Sequence, residues 1–473
     1  MRTLLTLLVA IGLITSVPPR RQVVTQTADP QFEALATLVT QKMAEYGVPG
    51  VAFGILRDGR AMLRGFGTTN IDNPQPLTPQ TVFPIASISK TVTATAIMRL
   101  VEQGKLDLEA PVRKYIPEFA VEDPAASGDV AIWHLLTHTP GWEGQISGQD
   151  RGTESLAHFV ERMQRSPQLA PPGRVWSYNN AGFTVAGRVI EVASRQGIHE
   201  AIRSLVFEPI GLTRAFTRTE EAVTYRFAAA HRTRNDELSV VRPVSRSSTV
   251  TAGGVWMSVE DLLEYAAFHM GDGRGADGKP VLSRATLERM RTARVPKVGT
   301  DDAMGLGWHL RRVGGVLTAS HGGTLGHISL LTLVPERNMA LAILTNHANG
   351  WRLIQDVERA SLERLDGLTL DPAHAIGHRG VNETMPDAPI LETQPDPAPY
   401  LGVYRRPPLN ATNTVQVENG QLTLDGSPIA FYGPDRAVVL SGGAKGNPVE
   451  FIRDDTGSVR WARYIGRIAL KEK

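Results

Sequence analysis

Ser87-Ile88-Ser89-Lys90 places a hydroxyl and an amine three residues apart, at the start of a mostly apolar stretch, Ser87 to Gln103. That stretch reads as a helix closed by Gly104. Positions i and i+3 share a helical face, so both groups can point at one spot. A serine hydroxyl is a poor nucleophile unless a neighbour takes its proton. A lysine in a desolvated pocket can do so, because burial disfavours its charged form. The helix start also offers backbone N–H groups to a developing oxyanion. Acyl transfer is the chemistry this spacing suits, although S-x-x-K alone also describes an N-cap serine followed by a solvated lysine.

Two further segments carry groups of the right kind. Tyr178-Asn179-Asn180 opens a helix over Ala181 to Gln196, with Asn179 or Asn180 as its N-cap. A tyrosine beside a cationic lysine gives up its proton more easily and can shuttle protons; otherwise it is a packed aromatic beside a cap. His321-Gly322-Gly323-Thr324 ends a strand, and its two glycines let a ligand's backbone come close along a sheet edge. The plain alternative is a turn between strands.

The elements that must position these groups are legible in outline. A helical period runs from Gln31 to Tyr46 and stops at Gly47 and Pro49. Val51 to Leu56 and Ala61 to Phe66 flank Asp58-Gly59, a hairpin signal. Val316 to Ala319, Ile328 to Val334 and Met339 to Asn346 read as successive antiparallel strands, the last two joined through Pro335-Glu336-Arg337-Asn338, and a helix from Trp351 to Leu365 follows. A helix on an antiparallel sheet with further helices predicts a mixed α/β architecture over residues 28–370. Residues 371–399, rich in Pro, Ala, Asp and Gly, read as a linker. Short alternating runs with turns at Asn419-Gly420 and Asp425-Gly426 predict a small all-β, barrel-like domain over 400–473.

Composition narrows the function classes. Fifty Lys and Arg balance 48 Asp and Glu, so there is no electrostatic reason to expect a nucleic-acid partner. The chain has no cysteine, which removes disulfides, thiol nucleophiles and thiolate-bound metal. Arg2 and the apolar run Leu4 to Val17 predict a signal peptide over residues 1–20 and a periplasmic or secreted protein, with an uncleaved anchor as the alternative.

Taken together, the motifs resemble the serine β-lactamase and penicillin-binding-protein superfamily, especially its class C-like hydrolases. The family order is S-x-x-K, then Y-x-N, then K-T-G or H-x-G. Phe83-Pro84-Ile85-Ala86, Leu135-Leu136-Thr137-His138-Thr139-Pro140-Gly141, Pro172-Gly173 and Gly305-Leu306-Gly307-Trp308 are similar too, so the resemblance spans roughly residues 30 to 365. It implies an antiparallel sheet flanked by helices plus an all-helical subdomain. It further implies that Ser87 is acylated while Lys90 and Tyr178 share the base and acid work. Asn180 would bond the substrate amide or the lysine. The N–H groups of Ser87 and Thr324 would form the oxyanion hole, and His321 and Gly323 would line the substrate edge.

One departure bears on substrate. A lysine in the third motif can anchor a β-lactam carboxylate, whereas histidine is mostly neutral near pH 7. A small ester, an amide or a D-amino-acid peptide, including one derived from the cell wall, is therefore the expected substrate. β-Lactamase or DD-carboxypeptidase activity is the alternative, and a non-catalytic penicillin-binding sensor the alternative of another class. No cofactor or metal is called for. His134 and His138 have i, i+4 spacing, but Leu135 stands where a zincin carries its glutamate, and His138 reads as stabilising a helix end. The G-x-S-x-G elbow is absent around Ser87. Specificity would rest on the loops Trp142 to Pro172 and Arg226 to Thr249.

Overall fold

The computed structural model describes residues 29–145, 152, 154–242, 249–297, 302–370 and 388–472. The expected signal peptide and residues 371–387 of the expected linker lie outside the described residues, as do parts of the two loops named above. No described helix is long and apolar enough to cross a membrane.

An eight-stranded antiparallel sheet forms the centre of the larger unit. Its strands are β1 (Gly50–Arg57), β2 (Arg60–Gly67), β3 (Val295–Pro296), β4 (Ala303–Met304), β5 (His309–Val313), β6 (Val316–Thr324), β7 (Ile328–Val334) and β8 (Met339–Thr345), in the order β2-β1-β8-β7-β6-β5-β4-β3. The β1–β2 hairpin turns through Asp58 and Gly59, both at positive φ, as the sequence pattern predicts. Alternation along the central strands sorts their side chains into two cores. Val51, Phe53, Ile55, Leu341 and Ile343 face helices α1 (Pro30–Tyr46) and α6 (Gly350–Asp366). Ala52, Ala340, Ala342 and Leu344 face the opposite core. The second face carries small residues because helix α5 (Val259–Met270) lies tightly on it; a Cβ at Gly54 would stand 2.9 Å from Leu263.

The helical region inserted after β2 contains α2 (Ser89–Glu102), α3 (Ile132–Leu136) and α4 (Asn180–Ser194), which share the second core. α4 is capped by Asn179, whose side chain accepts the Gly182 N–H at 2.7 Å. That resolves the choice of cap and leaves Asn180 as the first helical residue.

Beyond the larger unit, β9 (Gly402–Arg406), β10 (Ala411–Glu418), β11 (Gln421–Leu424), β12 (Ser427–Gly433), β13 (Arg436–Val439), β14 (Pro448–Arg453), β15 (Val459–Tyr464) and β16 (Arg467–Lys471) close into a barrel. Its core is built on Tyr400, Tyr404, Phe431 and Phe451. The barrel docks on the helical region. Leu169, Ala170 and Val175 pack with Ile452, Trp461 and Ile468 in one buried cluster, and the Trp461 indole donates to the Leu169 carbonyl at 2.8 Å. Glu143, 1% exposed, accepts from Arg406 at 3.0 Å. The Arg174–Asp455 pair is largely exposed and adds at most about 1 kcal/mol.

The Glu143 contact is different, because its removal strands barrel guanidiniums inside the interface. Glu143→Ala should cost about 3 kcal/mol and split the unfolding transition seen by calorimetry into barrel and non-barrel steps. A single, unshifted transition would show that the barrel is held elsewhere.

Candidate active site

Ser87 lies in a short 3₁₀ turn, Ala86–Ile88, immediately before α2, rather than in the helix itself. The turn is tied down from every side. The strand Val82–Pro84 pairs with Trp256–Ser258, and the Ile85 N–H continues that pairing to the Val255 carbonyl at 2.9 Å. Ser89, the middle hydroxyl of the motif, donates to the Ala86 carbonyl at 2.6 Å and accepts the Val255 N–H at 3.0 Å. Ser329 on β7 donates to the Ile85 carbonyl at 2.8 Å. Within this frame Ala86 takes φ 47°, a left-handed conformation costing a non-glycine residue about 1–2 kcal/mol. The strain persists because the surrounding bonds over-determine it.

Lys90, one helical turn on, has no exposed surface. Its amine donates to Ser87 Oγ at 3.1 Å and to the Ala252 carbonyl at 2.5 Å. It lies 4.9 Å from the Tyr178 ring centre and 5.6 Å from that of Phe183. Burial holds its pKa well below the usual lysine range, and the Arg467 guanidinium pushes the same way. Tyr178 is buried too, and its phenol shares a hydrogen bond with Ser87. Burial pushes the phenol up to about 12, against the opposing pull of the Ser87 bond and of Arg467. Desolvation thus disfavours the ammonium on Lys90 and the phenolate on Tyr178 alike.

The third motif runs along β6 against the Ser87 turn. A Cβ at Gly323 would stand 2.5 Å from the Ile85 carbonyl and 2.8 Å from the Ala86 Cβ. The glycine therefore makes room for the protein's own turn, where the sequence suggested room for a ligand. His321 is buried with its ring centre 6.4 Å from that of Tyr178, and its Nδ1–H donates to the Gly322 carbonyl at 2.7 Å. Burial pulls His321 down to about 3, so the ring is neutral across the physiological range. Thr324 ends the strand with an exposed side chain.

Comparison with known proteins agrees with this geometry. A family model described as Beta-lactamase matches residues 35–363. The chain belongs to the beta-lactamase family. Penicillin-binding protein 4 of Amycolatopsis lactamdurans is 32% identical over 386 residues, covering 80% of this chain and 96% of that one. The crystal structure of SurE superposes with a TM-score of 0.78 at 28% identity, covering 94% of this chain and 99% of that one. SurE has also been crystallised with D-Leu. A beta-lactamase/D-alanine carboxypeptidase from Pseudomonas syringae shares the fold, with a TM-score of 0.61 at 19% identity over 72% of this chain and all of that one.

The Lys90 amine bonds the Ala252 carbonyl, and the Asn180 N–H donates to the Gly144 carbonyl at 3.0 Å. His138 takes φ 61° just past the C-cap of α3, the left-handed conformation that commonly ends a helix, and its Nδ1 accepts the Asn179 N–H at 2.9 Å, tying the end of α3 to the Tyr178 segment. His134 instead accepts the Ala131 N–H at the start of α3, so the two histidines do not share a helical face.

His138, His309 and His321 are the one grouping among the described residues that could hold a metal ion, with nitrogens within 4.8 Å of one another. All three are buried. His138 Nε2 and His321 Nε2 have no hydrogen-bond partner among the described residues. Nearby positive charge opposes a cation there: Arg467 acts on His138 and Lys297 on His321. The rings pack as aromatic core, His138 lying 4.5 Å from Tyr178 and 5.2 Å from Phe183.

Sequence reasoning passed over Ser89, Ser329 and Ala252, which hold the turn and the amine, and Arg467, which reaches Tyr178 from the barrel. Ser89 carried a weak signal, as a hydroxyl inside the motif. The others depend on contacts between segments far apart in the chain.

Gly323→Ala should displace the Ser87 turn, costing about 1–3 kcal/mol and slowing fluorophosphonate labelling. Unchanged stability and labelling would show that the turn is not wedged by β6.

Proposed function

We propose that this family member is a serine hydrolase that forms an acyl-enzyme on Ser87, acting on a small ester, an amide or a D-amino-acid peptide. The observation that carries the reading is the 3.1 Å contact between Ser87 Oγ and a fully buried amine whose pKa burial holds well below the usual lysine range. A neutral Lys90 has a lone pair for the Ser87 proton as the oxygen bonds the substrate carbonyl. Tyr178, still protonated, donates to the leaving oxygen or nitrogen as the acyl bond breaks, and the Lys90 ammonium returns a proton to it. Water then attacks the acyl carbon, giving a proton to Lys90; the Ser87 oxygen leaves with a proton from Tyr178, which Lys90 replaces, so that the enzyme is regenerated.

The preference for neutral or D-configured substrates is supported by two observations. The buried His321 offers no fixed charge for a β-lactam carboxylate, and SurE, which the chain resembles, was crystallised with D-Leu. The penicillin-binding relative favours a second reading, acylation by β-lactams with slow release.

A panel of p-nitrophenyl esters, D-alanyl amides and nitrocefin, run beside Ser87→Ala, tests the reading. Turnover should vanish in Ser87→Ala, and Lys90→Met should lower kcat by about 10²–10⁴-fold. A labelled penicillin that modifies Ser87 without turnover of any ester or amide would establish the second reading instead.

The pH dependence has a definite sign. Protonated Lys90 is inactive, so kcat/KM should rise as pH passes upward through its lowered pKa and then hold until Tyr178 ionises near 12. A profile that rises only above pH 10, as an unshifted lysine would give, overturns the role of Lys90.

A further inference from the structure

Tyr178 belongs to a segment, Trp176-Ser177-Tyr178, that is neither helix nor strand and precedes α4. The barrel hairpin β15–β16 runs alongside that segment and bonds it residue by residue. Arg463 donates to the Trp176 carbonyl at 3.0 Å, and the Ile468 N–H donates to Ser177 Oγ at 3.2 Å. The Tyr178 N–H donates to the Gly466 carbonyl at 2.8 Å, and Arg467 Nη1 donates to the Tyr178 carbonyl at 2.6 Å. The Arg467 guanidinium also lies 5.4 Å from the Tyr178 ring centre. Both backbone polar groups of the tyrosine are therefore bonded to the barrel.

The turn that delivers these bonds is costly to make. Ile465 and Gly466 both have positive φ, 49° and 68°, the backbone of a tight hairpin turn. A β-branched residue is an outlier there. Arg467 is in turn steered by Glu143, 3.8 Å from its Nη1, which also accepts from Arg406. A buried carboxylate shared by two barrel guanidiniums thus fixes the direction of the one that touches Tyr178.

We propose that the Gly466–Arg467 corner of the barrel is a positioning clamp for Tyr178, so that proton delivery to the leaving group depends on the docked barrel. Arg467 acts through the tyrosine and is a positioning residue. The proposal rests on the reading of Tyr178 as proton donor, and it makes a claim that a merely structural contact does not. A p-nitrophenolate leaves without needing a proton, whereas an alkoxide or an amine does not.

The test compares Arg467→Met and Arg467→Lys with the parent in the full-length chain, on a p-nitrophenyl ester, an alkyl ester and an amide of the same acyl group. Compared on the high-pH plateau of each variant, where Lys90 is neutral with or without the Arg467 charge, Arg467→Met should lower kcat on the alkyl ester and amide by about 10²-fold, the scale of a misplaced catalytic group, while KM and the p-nitrophenyl rate change by less than about threefold. Arg467→Lys, which keeps one donor for the Tyr178 carbonyl, should recover part of the loss. In a Tyr178→Phe background the Arg467→Met effect should disappear. Equal losses on all three substrates, or additive losses with Tyr178→Phe, would overturn the clamp. A parent enzyme with no turnover and no Ser87 labelling would instead overturn the hydrolase reading, so the two failures are distinguishable. Should Arg467→Met fail to fold, the leaving-group dependence of Arg467→Lys decides the matter alone.

Discussion

The arrangement around Ser87 depends on keeping one amine out of water. Each unit by which a pKa falls represents about 1.4 kcal/mol of preference for the neutral form, and Lys90 gains that preference chiefly from full burial. Its surroundings are consistent with an uncharged lysine. A backbone carbonyl, a serine hydroxyl and two aromatic rings meet it, and the charge that acts on it is another cation, Arg467. A carboxylate in that role would restore the ammonium and remove the base. The same desolvation acts oppositely on the phenol, because there the charged form is the deprotonated one. One dry environment thus favours an uncharged amine and an uncharged phenol on either side of Ser87.

Such a pocket must be closed by backbone and small residues rather than by ion pairs, and the close approaches reflect this. β6 presses on the Ser87 turn through Gly323, α5 lies on the small residues of the sheet, and the turn itself holds Ala86 in a strained conformation. Ser89 and Ser329 hydrogen-bond the turn with neutral hydroxyls. Rigidity there comes from convergent neutral bonds, so the stabilising interactions do not perturb the proton balance they surround.

The parts that were legible in the amino-acid pattern are those set by local spacing. The hairpin at Asp58-Gly59, the helix after Ser87, the strands around Pro335–Asn338 and the barrel's alternating runs all follow from periodicity and turn chemistry. The Ser87–Lys90 pairing was legible for the same reason, since the single turn that runs from the 3₁₀ segment into α2 brings them together. What the pattern concealed is long-range. Arg467 and Tyr178 are 289 positions apart, and no local rule ties a basic residue after a barrel turn to a tyrosine before a helix cap. The glycines of the third motif were visible, but not what they accommodate. The burial that raises the Tyr178 pKa is a property of packing, which no local pattern carries.

The neutral histidine of the third motif and the barrel arginine are connected by the same constraint. A lysine at position 321 would bring a second amine toward Lys90, and two ammonium groups in a desolvated site would each oppose the other's charge. His321, which burial keeps uncharged, leaves the proton balance to Lys90 and Tyr178. The cation that does approach, Arg467, comes with a partner: Glu143 lies 3.8 Å from it, and its bond to the Tyr178 carbonyl uses its charge on the backbone rather than on the phenolic oxygen. Placing that charge on a separate, docked barrel supplies a positive field to the Tyr178 side of the site through the backbone, while His321 itself stays neutral.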